Sequence, residues 1–483
     1  MKDRKRLVWI SAALLTVSLS THCDSGNTMG NPPPDPPPET LNLTDASPKL
    51  MKNGGGTAVT LKGTGFKTGA TVTIGGVAAQ DVVVVDSSTI QLKSPLKAAT
   101  CGTVTVVVTN PDGNAAMRGD LITFLTNRVS FGVPNPITMG TYPRQVLAVD
   151  LNKDGKVDLV SANSGQAAQA LVYRLGNGDG TFGNPTSYTA GSSTFGVAAV
   201  DLNKDGNLDL VTANSNSNDI SVRVATGAGT FPTASTQYGA GADTRAIAAA
   251  DLTGDGAADL VAVNYGSGNI SIYKNNGDGT FAAQSNLSVG ASPQHIILTD
   301  LDKDGKLDVV TANANGNNLS VRLANGTPSI FGAAASVAVG SSPWFVTAAD
   351  WNGDGKMDLA VVNNGMTAST YMVSILLGDG KGSFATPVNI DIGNQTAPRG
   401  AVATDLNKDG IMDLVVAGYG SNTLPVLIGK GDGTFEPVLS VTGPAFPQSV
   451  DAADFDGDGM PDLVATSSST GSQNVATLLG QCK

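Results

Sequence analysis

From residue 126 onward, short apolar runs alternate with polar segments rich in Gly and Asp, and the alternation repeats. In each unit an apolar run ends in Asp, as Val146-Leu-Ala-Val149 does before Asp150. Nine residues of acidic loop follow, counting that Asp. A second apolar run comes next and ends, in the first five units, near Asn163, Asn214, Asn264, Asn313 and Asn363. A third run (Ile220-Ser-Val-Arg-Val224), a Gly-rich turn with Phe (Gly178-Asp-Gly-Thr-Phe182) and a fourth run complete the unit. Apolar runs this short, bounded by turn residues, predict strands rather than helices. The units open at Asp150, Asp201, Asp251, Asp300, Asp350, Asp405 and Asp454, spaced 49 to 55 residues apart. A fixed period in this range means a solenoid or a propeller, and four strands in about 50 residues make one blade.

The ends of the array predict a closed ring. The last unit stops after its third strand, at Leu478-Leu-Gly-Gln-Cys-Lys483. Ser130-Phe-Gly-Val-Pro-Asn-Pro-Ile137 reads like Thr181-Phe-Gly-Asn-Pro-Thr-Ser-Tyr188, so residues 128–140 are expected to supply the missing strand. The expected fold of residues 126–483 is a seven-bladed β-propeller. Ahead of it, residues 44–125 show β-rich runs at Val59–Leu61, Thr71–Ile74, Val82–Val85, Thr89–Leu92, Val104–Thr109 and Leu121–Phe124, separated by Gly-rich turns. That rhythm predicts a small immunoglobulin-like β-sandwich, and the fold class is all-β throughout.

The first 43 residues follow another pattern. Lys2, Arg4, Lys5 and Arg6 precede a 14-residue apolar run, Leu7 to Ser20. This is too short to span a bilayer but suits a signal-peptide core. Cys23 and polar Asp24 follow, and the whole resembles a bacterial lipoprotein signal. The resemblance implies removal of residues 1–22, lipidation of Cys23 and a place at the cell envelope or outer surface. Cleavage by ordinary signal peptidase, leaving a secreted protein, is the alternative. Residues 23–43 hold Asn31-Pro-Pro-Pro-Asp-Pro-Pro-Pro-Glu39, an extended, semi-rigid linker.

Composition changes the picture in two ways. Charged residues are 14% and aromatics 5%, against 59 glycines, which suits an exported, turn-rich β protein. Net charge is −12, arguing against a nucleic-acid partner. Yet 23 of the 41 acidic residues lie in the seven repeat loops. With the leader gone the chain is near −15, and seven Ca²⁺ would bring it near −1. Cys23, Cys101 and Cys482 form no CxxC pair. Cys101 and Cys482 either bond to each other or remain free thiols.

The loops carry the chemistry. Ca²⁺ takes six to eight oxygens at roughly 2.3–2.6 Å. In Asp150-Leu-Asn-Lys-Asp-Gly-Lys-Val-Asp158, side chains at positions 1, 3, 5 and 9 (Asp150, Asn152, Asp154, Asp158) offer oxygens, Gly155 at position 6 permits the turn, and Lys156 at position 7 lends its carbonyl. The second loop offers Asp201, Asn203, Asp205, Asn207 and Asp209; the third Asp251, Thr253, Asp255, Ala257 and Asp259. The fourth offers Asp300, Asp302, Asp304, Lys306 and Asp308; the fifth Asp350, Asn352, Asp354, Lys356 and Asp358. The sixth offers Asp405, Asn407, Asp409, Ile411 and Asp413; the seventh Asp454, Asp456, Asp458, Met460 and Asp462. Thr253 makes the third loop the weakest; the fourth and seventh, with four carboxylates each, are expected to bind best. No loop has Glu at position 12, so these are hairpin loops and not EF-hands.

Two segments carry family resemblances. Ser47-Pro48, the Gly-Gly-Gly-Thr57 turn, Val59-Thr-Leu-Lys-Gly-Thr-Gly-Phe66, Ala70-Thr-Val-Thr-Ile-Gly-Gly76 and Gly102-Thr-Val-Thr-Val-Val-Val-Thr-Asn-Pro-Asp-Gly113 resemble the IPT/TIG immunoglobulin-like family, whose members serve as spacers or interaction modules. The seven repeats resemble the FG-GAP/VCBS family, as found in the integrin α-subunit propeller.

Register also predicts a ligand ring. The acidic loops join strands one and two and share one face. On the opposite face, six positions before each first Asp, stand Arg144, Phe195, Arg245, Gln294, Trp344, Arg399 and Gln448. Aromatic, Arg and Gln groups around a concavity suit sugars or acidic peptides; lining the funnel and plugging blade junctions is the plainer role. The Asn-rich loops at Asn214–Asp219 and Asn313–Asn318 add amides. His295 beside the ring has no triad or zinc partner and is expected to be structural. The expected function is a non-enzymatic surface protein that binds up to seven Ca²⁺ and recognises a glycan or protein, touching the membrane only through its lipid. A polysaccharide-acting enzyme with its site in the funnel, or a purely structural surface component, are the alternatives.

Overall fold

The computed structural model describes residues 40–52, 55–95, 102–125, 129–165, 170–325, 330–365, 371–393, 397–468 and 474–482. The leader, Cys23, the Pro-rich linker and Cys101 lie outside these, so the lipid anchor and the Cys101–Cys482 bond do as well. The described residues form strands and turns and contain no helix.

Residues 42–125 form two facing sheets. One orders Asn42–Ser47, Ala58–Thr64, Thr89–Lys93 and Gln80–Asp86; the other orders Leu50–Lys52, Ala115–Leu125, Gly102–Thr109, Thr71–Ile74 and Val77–Ala78. Period-two alternation turns Val59, Leu61, Val72, Ile74, Val104, Val106 and Val108 into a shared core. The first strand opens at Asn42 because Leu43 is fully buried in that core. Leu50–Lys52 and Val77–Ala78, strands of two or three residues, carried no legible pattern.

Seven four-stranded sheets follow among the described residues. Six are consecutive antiparallel meanders whose innermost strands are Pro143–Val149, Thr194–Val200, Thr244–Ala250, Pro293–Thr299, Pro343–Ala349 and Pro398–Thr404 (blades 1 to 6). Blade 7 combines Val450–Ala453, Asp462–Thr466 and Asn474–Leu478 with Asn135–Thr138 from the other end of the array. The strand Pro143–Val149 lies beside both Thr194–Val200 and Val450–Ala453, so the inner strands make a circle. In each blade the second strand is buried along its length, which explains its unbroken apolar run.

The repeated Phe closes the blade junctions. Phe182 packs edge-on against Phe455, at position 2 of the blade 7 loop, with ring centroids 5.7 Å apart. Phe231 shares a cluster with Leu151, Phe281 with Leu202, Phe384 with Leu301 and Phe435 with Trp351. Each aromatic therefore plugs against the preceding blade's acidic loop. Blade 7 lacks its own such Phe, and Phe131, from the segment ahead of blade 1, packs in the cluster of Leu406 instead. Val129–Phe131 also pairs with Gly480–Cys482. The supplied strand thus brings the aromatic plug with it.

Candidate functional site

Each acidic loop is a compact hairpin with two left-handed residues. Position 6 is always Gly, with φ between 75° and 87°. Position 4 is left-handed too, yet is Lys at Lys153, Lys204, Lys303 and Lys408 and Gly at Gly254, Gly353 and Gly457. In the second loop, Gly206 N–H donates to Asp201 Oδ2 at 2.8 Å, Asp205 N–H to Asn203 Oδ1 at 3.1 Å, and Asn207 N–H to Asp205 Oδ1 at 2.7 Å. The loop amides thereby aim the side-chain oxygens of positions 1, 3 and 5 inward.

Position 9 does something further. Asp158, Asp209, Asp259, Asp308, Asp358, Asp413 and Asp462 are all fully buried. Leu202 N–H donates to Asp209 Oδ2 (2.8 Å) and Ala225 N–H to Asp209 Oδ1 (2.7 Å). The same pair of amide bonds recurs in every blade, ending with Phe455 and Gly480 N–H on Asp462 at 2.7 and 2.6 Å. Each of these carboxylates staples the acidic loop to the turn between strands three and four. Burial outweighs those bonds and pushes the Asp413 and Asp462 carboxyls up to about 7. An adjacent cation is the remedy for such a group.

The loops fit Ca²⁺. Carboxylate oxygens of Asp300, Asp302 and Asp304 lie within 4.8 Å of one another, as do those of Asp454, Asp456 and Asp462. That spacing is what oxygens on opposite sides of one Ca²⁺ require, each at roughly 2.4 Å. Asp201 Oδ1 and Asp300 Oδ1 are buried with no hydrogen-bond partner among the described residues, an arrangement that costs free energy unless a cation takes the lone pair. In the fourth loop Asp308 lies outside the tight trio; in the seventh Asp458 does. Lys306 and Lys356, at position 7, place Nζ 2.6 and 2.9 Å from Asp304 Oδ2 and Asp354 Oδ2. In the third loop the Lys204 ammonium of blade 2 donates to the Asp255 carbonyl at 3.0 Å.

On the opposite face six of the seven register-predicted residues converge; Arg399 is not among those lining their cavity but touches it through Gln448 and Trp344. Arg144, Phe195, Arg245, Gln294, Trp344 and Gln448 line one cavity of about 80 Å³, joined by Gln145, His295, Phe345 and Gly400. A shallow hollow of about 500 Å³ adjoins it, lined by Arg144, Phe195, Arg245, Asp243, Ser215, Asn216 and Asn218. The ring residues bind one another. Arg144 Nη1 and Arg399 Nη1 both donate to Gln448 Oε1 at 2.9 Å, and Arg245 Nη1 to Gln294 Oε1 at 3.0 Å. Arg144 lies over the Phe195 ring at 4.5 Å; Arg399 sits 4.5 Å from the Trp344 ring and 4.2 Å from that of Tyr419. Gly400 lets blades 6 and 7 meet here, since a Cβ would stand 2.8 Å from the Gln448 carbonyl.

The FG-GAP-like repeat family matches six overlapping stretches, residues 150–212, 201–262, 251–311, 300–361, 360–416 and 405–465, and the IPT/TIG domain matches residues 41–125. The chain belongs to the FG-GAP-like repeat family. No curated protein matches it. Among solved structures, Kuenenia stuttgartiensis hydrazine synthase is similar at 14% identity and a TM-score of 0.51, over 72% of this chain and 97% of that one. An auxiliary nutrient binding protein from Bacteroides ovatus aligns at 13% identity and a TM-score of 0.44, over 92% and 98%. The periplasmic gluconolactonase of Pseudomonas aeruginosa aligns at 14% and 0.48, over 72% and 96%. These identities speak for the fold alone. Among the described residues no helix is long and apolar enough to cross a membrane.

Within this FG-GAP propeller, several residues act in ways the sequence did not indicate. The position-9 aspartates, expected only as ligands, are backbone staples. Asp243, Tyr265 and Tyr419 hold ring arginines; their signal was a position one loop away from the ring, visible only once the blades are side by side. His295 is half-buried at the cavity wall. Its imidazole stacks on Phe345 with centroids 3.7 Å apart, and burial depresses it to about 4, keeping it neutral.

Proposed function

We propose that this FG-GAP protein is a recognition protein of the bacterial cell surface, exported and lipid-anchored through Cys23. Its acidic loops take Ca²⁺, and its funnel, on the face opposite the loops, binds a glycan without altering it. The observation that supports this best is the convergence of Arg144, Phe195, Arg245, Gln294, Trp344 and Gln448 on one cavity. An aromatic, Arg- and amide-lined concavity is the chemistry that sugar rings and their hydroxyls call for.

Ca²⁺ serves the scaffold in this reading. Side chains at positions 1, 3, 5 and 9 would hold the ion, led by positions 1, 3 and 5 in the fourth loop and by 1, 3 and 9 in the seventh, and the ion would neutralise carboxylates that otherwise repel one another. The IPT/TIG sandwich and the Pro-rich linker then hold the propeller away from the membrane.

A glycan array probed with labelled residues 24–483 in Ca²⁺ tests the reading. Selective binding that is lost when Arg144, Arg245, Trp344 and Arg399 are changed to Ala is the expected result. No binding to any glycan overturns it.

A further inference from the structure

Arg245 shows what a guanidinium takes at this register of the fold. Asp243, two residues earlier, accepts Arg245 Nε at 3.0 Å and Nη2 at 2.6 Å through its two carboxylate oxygens. With Nη1 on Gln294, all three nitrogens of Arg245 are engaged. Asp243 adopts a left-handed backbone, φ 57°.

Blades 1 and 6 repeat this geometry without the acid. The equivalent left-handed positions are Tyr142 and Ala397, both at φ 53°. Arg144 donates Nε to Ser164 Oγ at 2.8 Å and Nη1 to Gln448. Arg399 donates Nη1 to the same Gln448 oxygen, and its Nε is buried with no hydrogen-bond partner among the described residues. Neither arginine has a carboxylate partner among the described residues. Gln448 is itself anchored, through Nε2 to Ser468 Oγ at 2.8 Å, so it holds the two guanidinium groups side by side. Two half-buried cations fixed together, with donors left over, amount to an anion site.

We propose that Arg144 and Arg399 form a carboxylate subsite that takes the uronic-acid group of an acidic glycan, in the role Asp243 plays beside Arg245. This rests on the recognition reading above and narrows its ligand class. A sugar acid fits better than a bare carboxylate because the arginines stand beside the Phe195 and Trp344 rings, and because the hollow that Arg144 lines is rimmed by Ser193, Ser215, Asn216 and Asn218, which suit hydroxyl groups.

The test is titration calorimetry of residues 24–483 in Ca²⁺ with short oligomers of galacturonate, mannuronate and glucuronate, their carboxyl-reduced counterparts, and acetate. At least one oligouronate binds, and carboxyl reduction weakens it tenfold or more. Ala397→Asp, which gives Arg399 an internal carboxylate at a position where Asp243 shows Asp is accepted, weakens it as much with an unchanged melting temperature; Arg399→Gln does the same. Equal affinity for the reduced oligomer, unweakened binding by Ala397→Asp, or acetate binding as well as the oligomer overturns the subsite. Binding of neutral glycans alone overturns it while leaving the recognition reading standing. Absence of any glycan binding removes both.

Discussion

Ile137 stands directly opposite Val475 in the blade 7 sheet, although 338 residues separate them along the chain. Ile137 and Val475 are buried in one cluster with Met139, Val146 and Phe455, which belongs to blades 1 and 7 together. This pair is where the circle is fastened. Ile137→Ala is expected to cost about 2–4 kcal/mol, the range for truncating a buried Ile. Ile137→Val should cost about 1 kcal/mol. Chemical denaturation followed by Trp fluorescence measures both; equal and negligible losses would show that the circle does not depend on this contact.

Chelation should destabilise the protein. A ligand held at 1,000 times its Kd stabilises the native state by about 4 kcal/mol per site, so EGTA is expected to lower the melting temperature by many degrees. An unchanged midpoint would count against Ca²⁺. The third loop, with Thr253 and the Lys204 ammonium bonded to the Asp255 carbonyl, should fill last. Thr253→Asp is expected to strengthen that site in a calorimetric titration.

Asp413 separates the staple from the metal. Its two oxygens hold Leu406 and Gly429 N–H at 2.9 and 2.8 Å. Asp413→Ala strands both buried amides and is expected to cost about 2–5 kcal/mol. The loss should persist in EGTA, where a change at a predicted ligand that accepts only one local loop amide, Asn407→Ala, has a smaller effect. Parallel melts of the two variants with and without Ca²⁺ make the comparison.

Lys408 has a left-handed backbone at φ 60°, a conformation that costs an L-residue about 1–2 kcal/mol. Lys408→Gly recovers that, less the extra freedom Gly gives the unfolded chain. The net expectation is a gain of about 0.5–1 kcal/mol. Lys204→Gly should gain less, since it also loses the bond to Asp255. Urea midpoints for the two variants rank them.

His295 predicts a pH dependence. Its native imidazole is held near 4, against an ordinary 6.5, so the unfolded chain binds more protons between these values. Stability is then fully present above pH 6.5 and falls as pH drops towards 4, by up to about 3 kcal/mol. His295→Gln should flatten that limb of the melting temperature profile. An unchanged slope would mean that the drop comes from elsewhere.

The repeat, the strand count per unit and the supplied strand were legible because Asp, Gly and Phe recur at fixed offsets. The funnel ring was legible for the same reason, since a register position maps onto a place in the blade. What escaped was whatever depends on which blade stands next door. Gln448 meets Arg144 across 304 residues and Arg399 across 49. No local pattern links them. The stapling role of Asp209 and its six counterparts was hidden because a carboxylate in an acidic loop reads as a ligand, while its partners are backbone amides that have no residue identity.

The supplied strand also bears on how the protein comes to be made. A chain emerging from a ribosome presents residues 129–138 long before residues 474–482. The early segment has no partner until the final blade arrives, so the fold cannot be locked while most of the chain is still being delivered. Topology sets the order of events: the array stays an open, threadable chain until its final strands are delivered, and only then can the ring close.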